Sequence, residues 1–250
     1  MFPFTTVLLI LAVSLLCLYT LHKVRLIHLL LHDIKDQSLH GPDQLFRQVE
    51  ALHNLQLELR LDKSLPATRG WAASPDFLLE VARNVLAAKP RKVLECGSGA
   101  STVVLARCLQ LNGGGKLWSL EHDAAYAEQT RQQLARHGLS DWAEVLHAPL
   151  HDGVTGIDGW PWYQHDILSS KEAIDMLVID GPPQAVHQLA RYPAGPVLFE
   201  RLRLGGKIFL DDAARPDEQQ TLQRWKSEFP QFEHATRVCE KGCAVLTRCL

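Results

Sequence analysis

From about Pro66 onward, short apolar runs alternate with stretches of helical periodicity, and this alternation leaves the chain few folds to choose from. The strands read as "KVLECG", "KLWSLEHD", "AEVLHAPL", "IDMLVIDG" and "KIFLDD". Helices read as "SPDFLLEVARNVLAAK", "STVVLARCLQL", "AAYAEQTRQQLARHG" and "PDEQQTLQRWKSEF", the first with Ser74 as N-cap and Pro75 at its first position. After the fourth strand a helical stretch ends in "VLFERLRLGG", and "FEHATRVC" with "CAVLTRCL" forms a closing hairpin around Lys241-Gly242. Apolar strands separated by helices predict a parallel sheet covered on both faces.

The expected fold is therefore α/β, a doubly wound, Rossmann-like, seven-stranded and mostly parallel sheet with a C-terminal antiparallel hairpin. In open sheets of this kind a ligand lies beyond the carboxyl ends of the strands, at the switch point. Glu95, Glu121, Asp180, Asp211 and Asp212 all fall there. Behind the first strand, "VLECGSGAS" adds Gly97 and Gly99, which let a ligand approach the backbone. A dinucleotide would want a third glycine, and Glu95 would lie close to its pyrophosphate; a ligand with a cationic centre and an amino group suits the acid better. The plainer alternatives are a tight turn without ligand and solvated strand-end acids.

Residues 2–21, "FPFTTVLLILAVSLLCLYTL", carry no charge. Twenty helical residues span about 30 Å, the hydrocarbon thickness of a bilayer. No basic residue precedes the run, as it would in a cleaved signal peptide, and Lys23 and Arg25 follow it. This predicts a transmembrane anchor over 1–22, single-pass, with the remainder facing the cytoplasm; a buried core helix is the alternative. Residues 23–65 read as a juxtamembrane helix, a break at Gly41-Pro42, and an amphipathic helix with Leu45, Val49, Leu52 and Leu59 on one face. That face either packs on the 66–250 domain or pairs with a second copy, so a homodimer is one expectation. A net charge of -2 argues against a nucleic-acid partner. The six cysteines form no C-x-x-C pair; Cys239 and Cys243 flank a turn and read as strand residues with free thiols. His28/His32 and His147/His151 have helical spacing without a neighbouring carboxylate in a metal-site pattern.

"LECGSGAST" resembles the first motif of class I S-adenosylmethionine-dependent methyltransferases, E/D-x-G-x-G. With "DMLVIDGPP", "RYPAGPVLFERLRLGGKIFLDDAARPDE" and "KGCAVL", the chain over 66–250 is similar to a bacterial group near the catechol O-methyltransferase type. The resemblance implies S-adenosylmethionine as cofactor, with Glu95, Gly97, Gly99 and Ser101 in its first motif and Glu121 on the two ribose hydroxyls. It places further cofactor contacts at Asp123 and at Ala148-Pro149. It also implies a magnesium ion held by Asp180, Asp211 and Asp212, although Asp212 stands where the family usually has an amide. Three close carboxylates must be protonated, dispersed or bridged by a cation, and a hard divalent ion is the economical solution. The alternatives are Asp212 as a cap of the following helix, and a metal-free site with Asp180 as general base. "DGPP" matches the amino-group methyltransferase motif poorly, which favours an oxygen acceptor, either a small molecule or one linked to lipid.

Trp160, Trp162 and Tyr163 read as an aromatic wall or lid, or as core. Arg191, Tyr192 and Arg215 read as residues near the acceptor, and Arg69-Gly70-Trp71 as a segment closing over the cofactor. Another enzyme on this scaffold, an aminopropyl transferase or a metal-dependent hydrolase, is a rival expectation. So is a membrane-tethered binding protein with a vestigial site.

Overall fold

The computed structural model describes residues 3–68, 70–153, 159–169 and 172–249. The chain divides into two compact units, 1–47 and 48–250. In the first, helix α1 (Phe4–Glu58) begins with a stretch, Phe4–His32, of 29 residues and mean hydropathy 2.4, its large apolar side chains exposed. By length and composition this stretch can cross a bilayer, a test that a signal sequence also passes. The expected break at Gly41-Pro42 is absent, because α1 runs through Pro42. One proline removes a single rung of the helical ladder, at about 3 kcal/mol, and the leucine-rich turns on either side keep theirs.

The second unit takes in the last turns of α1. Ala51, Leu55 and Leu59 are buried there with Phe77 and Leu78, while Val49, expected on the buried face, is exposed. Leu45, before that unit begins, is exposed too. Leucines recur on more than one face of this helix, so spacing alone did not select the face. Helix α2 (Pro75–Ala88) starts after Ser74 as expected, with the Ser74 hydroxyl donating to Asp76 rather than to the backbone.

The sheet comprises β1 (Lys92–Cys96), β2 (Lys116–Glu121), β3 (Ala143–His147), β6 (Ile174–Ile179), β7 (Leu202–Asp211), β8 (Phe232–Arg237) and β9 (Cys243–Arg248). Its order is β3-β2-β1-β6-β7-β9-β8, parallel from β3 to β7 and antiparallel through β9 and β8. Helices α3 (Ala100–Asn112), α4 (Ala124–Arg136) and α6 (Pro216–Glu228) follow β1, β2 and β7. Two apolar clusters form the core, one including Phe77, Val104 and Leu109, the other Leu94, Phe199 and Trp225.

Three segments depart from expectation. "AEVLHAPL" ends as a sheet strand at His147; Leu150–His151 is β4, paired with β5 (Trp162–Tyr163) in a separate two-stranded sheet. The helix before β7 shrinks to α5 (Ala194–Leu198) and one 3-10 turn. Strand β7 begins at Leu202, and its pairing jumps from Ile174↔Leu202 to Met176↔Lys207. The extra residues bulge at Gly205 and Gly206, where a Cβ on Gly206 would meet the Arg203 carbonyl at 2.8 Å.

Candidate active site

The switch point lies between β1 and β6, where the chain leaves one strand for each side of the sheet. A cleft of about 970 Å³ opens there, over the carboxyl ends of the strands. Its walls include Gly97 to Ser101, Glu121 to Asp123, Tyr126, Tyr163, Asp180-Gly181, Arg191, Asp212 and Arg215. Strand ends and helix starts thus bring Gly97, Gly99, Ser101, Glu121, Asp123, Asp180 and Asp212 together. Glu95, Ala148 and Asp211 are buried just behind this surface and do not line it.

The turn after β1 is set by backbone contact. Gly97 has φ +92, and a Cβ there would lie 3.1 Å from the Gly181 nitrogen. A Cβ on Gly181 would meet the Tyr163 hydroxyl at 2.3 Å and the Gly97 Cα at 3.1 Å. The two glycines let the loops after β1 and β6 cross in contact, which sets the floor of the cleft. The Tyr163 hydroxyl, in that same floor, is buried without a hydrogen-bond partner among the described residues. Trp162 and Tyr163 are both fully buried, so they act as core and floor, while half-buried Trp160 packs on His187 and Tyr192.

Glu121 closes the cleft on the β2 side. Its Oε2 accepts from the Ser98 amide at 3.0 Å and the Ser98 hydroxyl at 2.9 Å. Its Oε1 accepts from the Asp123 amide at 3.0 Å and lies 2.9 Å from His122 Nδ1. Burial pushes the carboxyl upward, but the bonds from His122, Asp123 and Ser98 outweigh it and the net shift is downward. Asp123 caps α4 by accepting from the Tyr126 amide at 2.8 Å.

Glu95 lies behind the turn rather than on the cleft wall. It is fully buried and accepts from the Thr102 hydroxyl at 2.7 Å. Thr102 in turn accepts from the Gly99 amide, so Glu95 fastens the start of α3 from behind. Burial lifts its carboxyl to about 7, with bonds from Ser101, Ser119 and Thr102 pulling the other way.

Opposite Glu121, Asp180, Asp211 and Asp212 offer ligand atoms that all lie within 4.8 Å of one another. A side chain that the sequence assigned to the acceptor sits among them. Arg191 is 4% exposed. Its Nη2 donates to Asp212 Oδ2 at 2.7 Å, to Asp180 Oδ1 at 3.2 Å and to the Asp180 carbonyl at 2.9 Å; Nη1 donates to the Asp211 carbonyl at 2.8 Å. Arg215 Nη1 adds a second contact to Asp212 Oδ2 at 2.8 Å. Asp212 does not cap α6, whose N-cap position is Arg215. Burial raises the Asp180 carboxyl to about 7, against the pull of Arg191.

Arg69 lies outside the described residues, as do 154–158. Trp71, at the cleft mouth, is exposed, and Lys241 Nζ holds its neighbours by donating to the Gly70 and Ala72 carbonyls. All six cysteines are free. Neither histidine pair joins a converging set of metal-ligating groups among the described residues. The sequence missed Ser98, and it placed Arg191 near the acceptor without its contacts to Asp180 and Asp212. An arginine inside the apolar run "QLARYPAGPVLF" was the available signal, since a buried guanidinium implies buried acids.

Residues 94–213 match the protein family described as "Methyltransferase domain". Among curated proteins the chain is 28% identical over 173 residues to protein-L-isoaspartate O-methyltransferase 1 of Polaromonas sp., covering 66% of this chain and 61% of that one. It is 33% identical over 140 residues to the catechol O-methyltransferase of Mycobacterium tuberculosis, covering 55% of this chain and 60% of that one. The chain therefore spans no more than about three fifths of the curated relatives it matches. Solved structures that share its fold include two methyltransferases. One is the O-methyltransferase from Bacillus cereus in complex with SAH (TM-score 0.56, 21% identity, covering 80% of this chain and 90% of that one). The other is the SAH-bound methyltransferase from Podospora anserina (TM-score 0.53, 15% identity, covering 78% and 86%).

Proposed function

We propose, from a chain whose resemblance to class I methyltransferases of the catechol O-methyltransferase type these matches bear out, that it transfers the methyl group of S-adenosylmethionine to a hydroxyl acceptor. The observation that carries this reading is Glu121: a strand-end carboxylate facing the same cleft as the Gly97–Gly99 turn. One carboxylate can accept from two neighbouring ribose hydroxyls. Ser98 and His122 now fill those acceptor sites, so the diol takes the place of two contacts that can move.

With the nucleoside on the Glu121 side, the sulfonium methyl points toward the wall formed by Asp180. There Asp180 takes the acceptor's hydroxyl proton, the oxygen bonds to the methyl carbon, and the carbon–sulfur bond breaks to leave S-adenosylhomocysteine. Rate comes mainly from holding oxygen, carbon and sulfur in line. A resident magnesium ion fits these residues poorly. Such an ion wants near-octahedral oxygens at about 2.0–2.1 Å, and the inward oxygens of Asp180 and Asp212 already accept from one guanidinium nitrogen. No step of the proposal runs through a metal.

The apolar N-terminal helix supports a membrane-bound enzyme with its cleft on the cytoplasmic side and an acceptor that is lipid-linked or made at the membrane. The exposed Leu45, Phe46 and Val49 face of α1 suits pairing with a second copy. Incubation with methyl-labelled cofactor and membrane extract tests the reading. Label in an ester or ether of the acceptor supports it; a labelled amine, or no label transfer, overturns it.

A further inference from the structure

Four carboxylates crowd one buried corner of the cleft: Asp180, Asp211, Asp212 and Glu218. Like charges this close do not persist without a partner, and the partner is covalently part of the chain. The Arg191 guanidinium lies inside the cluster rather than at its rim. It touches Asp180 and Asp212 through one nitrogen, and its Nε lies 3.6 Å from Glu218 Oε1. It also binds two main-chain carbonyls, those of Asp180, just past the end of β6, and Asp211, the last residue of β7. A planar guanidinium can bond several oxygens at fixed angles, as a point charge on lysine cannot. The arrangement therefore offsets part of the acids' charge, ties the two strand ends together, and fixes the direction of the Asp180 carboxylate at the cleft wall.

We infer that the Arg191 guanidinium is the resident cation of this cluster, standing where a divalent ion would otherwise bridge the three aspartates. Arg191 is then a positioning residue that acts through Asp180, and the site works without a metal. The role given to Asp180 rests on the methyltransferase reading, but the identity of the cation does not. Arg215 supports the same conclusion by placing a second positive charge on Asp212 Oδ2, which leaves a further cation to be repelled at short range.

The test uses the full chain in detergent and titrates it with Mn2+, with free ion followed by electron paramagnetic resonance. The wild type is expected to take up no stoichiometric Mn2+ at micromolar concentrations, and methyl transfer to survive EDTA within about twofold, far less than loss of a required metal would cost. Arg191→Met, which removes the charge at similar length, is expected to gain one Mn2+ per chain and to lose it again when combined with Asp212→Asn. Tight Mn2+ uptake by the wild type, or a folded Arg191→Met that takes up none, overturns the inference. If Arg191→Met does not fold, the wild-type titration decides alone. Calorimetry with S-adenosylhomocysteine runs in parallel: failure there sinks the methyltransferase reading and leaves the cation result standing.

Discussion

Glu121 holds its four acceptor directions full before any ligand arrives, with Ser98, Asp123 and His122 as donors. Replacing it by alanine removes charge-assisted bonds worth about 1.5–3 kcal/mol each and frees Ser98 to turn elsewhere. The expected result is a loss of S-adenosylhomocysteine affinity of about 30-fold or more by calorimetry, together with a lower melting temperature because the Ser98 and Asp123 amides lose their acceptor. An unchanged affinity would remove the ribose role. Glu95 makes a different prediction, because its carboxyl is raised from 4.5 to about 7 by burial. A raised carboxyl gives stability that is complete below pH about 4.5 and is lost as pH rises through about 7, of order 3 kcal/mol at most. Glu95→Gln removes that dependence. Its melting temperature relative to wild type should therefore rise between pH 5 and pH 8, and a constant difference would show that Glu95 stays ionised. These two acids also mark what sequence could tell at this scale. Glu121 ends its strand and its exposure to the cleft follows from that position. Glu95 is one residue inside its strand, where only the packing of Thr102 and Ser119 reveals that it points into the core.

At the scale of elements, the site depends on two loops passing at contact distance after β1 and β6. Gly97→Ala puts a side chain at φ +92, with its Cβ 3.1 Å from a backbone nitrogen that cannot swing aside. The left-handed backbone alone costs about 1–2 kcal/mol, so the expected outcome is a lower denaturant midpoint together with weaker cofactor binding. A variant of wild-type stability and affinity would mean that the loops have room to part. The glycines after β1 were legible as a turn that admits a ligand, but their crossing with Gly181 was not, since 84 residues separate the two loops in sequence. The same limit hid the contacts of Arg191, whose acid partners lie on two other strand ends. "LRLGG" failed for a local reason. Leu202 and Leu204, with charged Arg203 between them, satisfy a strand's period of two as readily as the end of a helix, and the bulge decides between them.

For the whole molecule, the doubly wound sheet and its closing hairpin followed from the alternation of apolar strands and helices, whereas the pairing of β1 with β6 joins strands far apart in sequence. The apolar helix at the N-terminus followed from length and apolarity alone. Every residue lining the cleft lies between Gly70 and Arg215, inside the compact unit 48–250, so cofactor binding should not need the apolar helix. A variant lacking residues 1–25 is expected to bind S-adenosylhomocysteine within about twofold of the full chain, a difference below 0.5 kcal/mol, while losing co-sedimentation with lipid vesicles. If the acceptor is lipid-linked, the same variant should methylate it more slowly in membranes yet at the full-length rate once both are in detergent micelles. The comparison separates two uses of an anchor. A helix that only localises the enzyme changes the encounter rate, so detergent restores the deficit. A deficit that persists in micelles would mean that the apolar helix touches the acceptor itself. Equal rates in membranes would mean that the acceptor diffuses freely in water and that the lipid-linked reading is wrong.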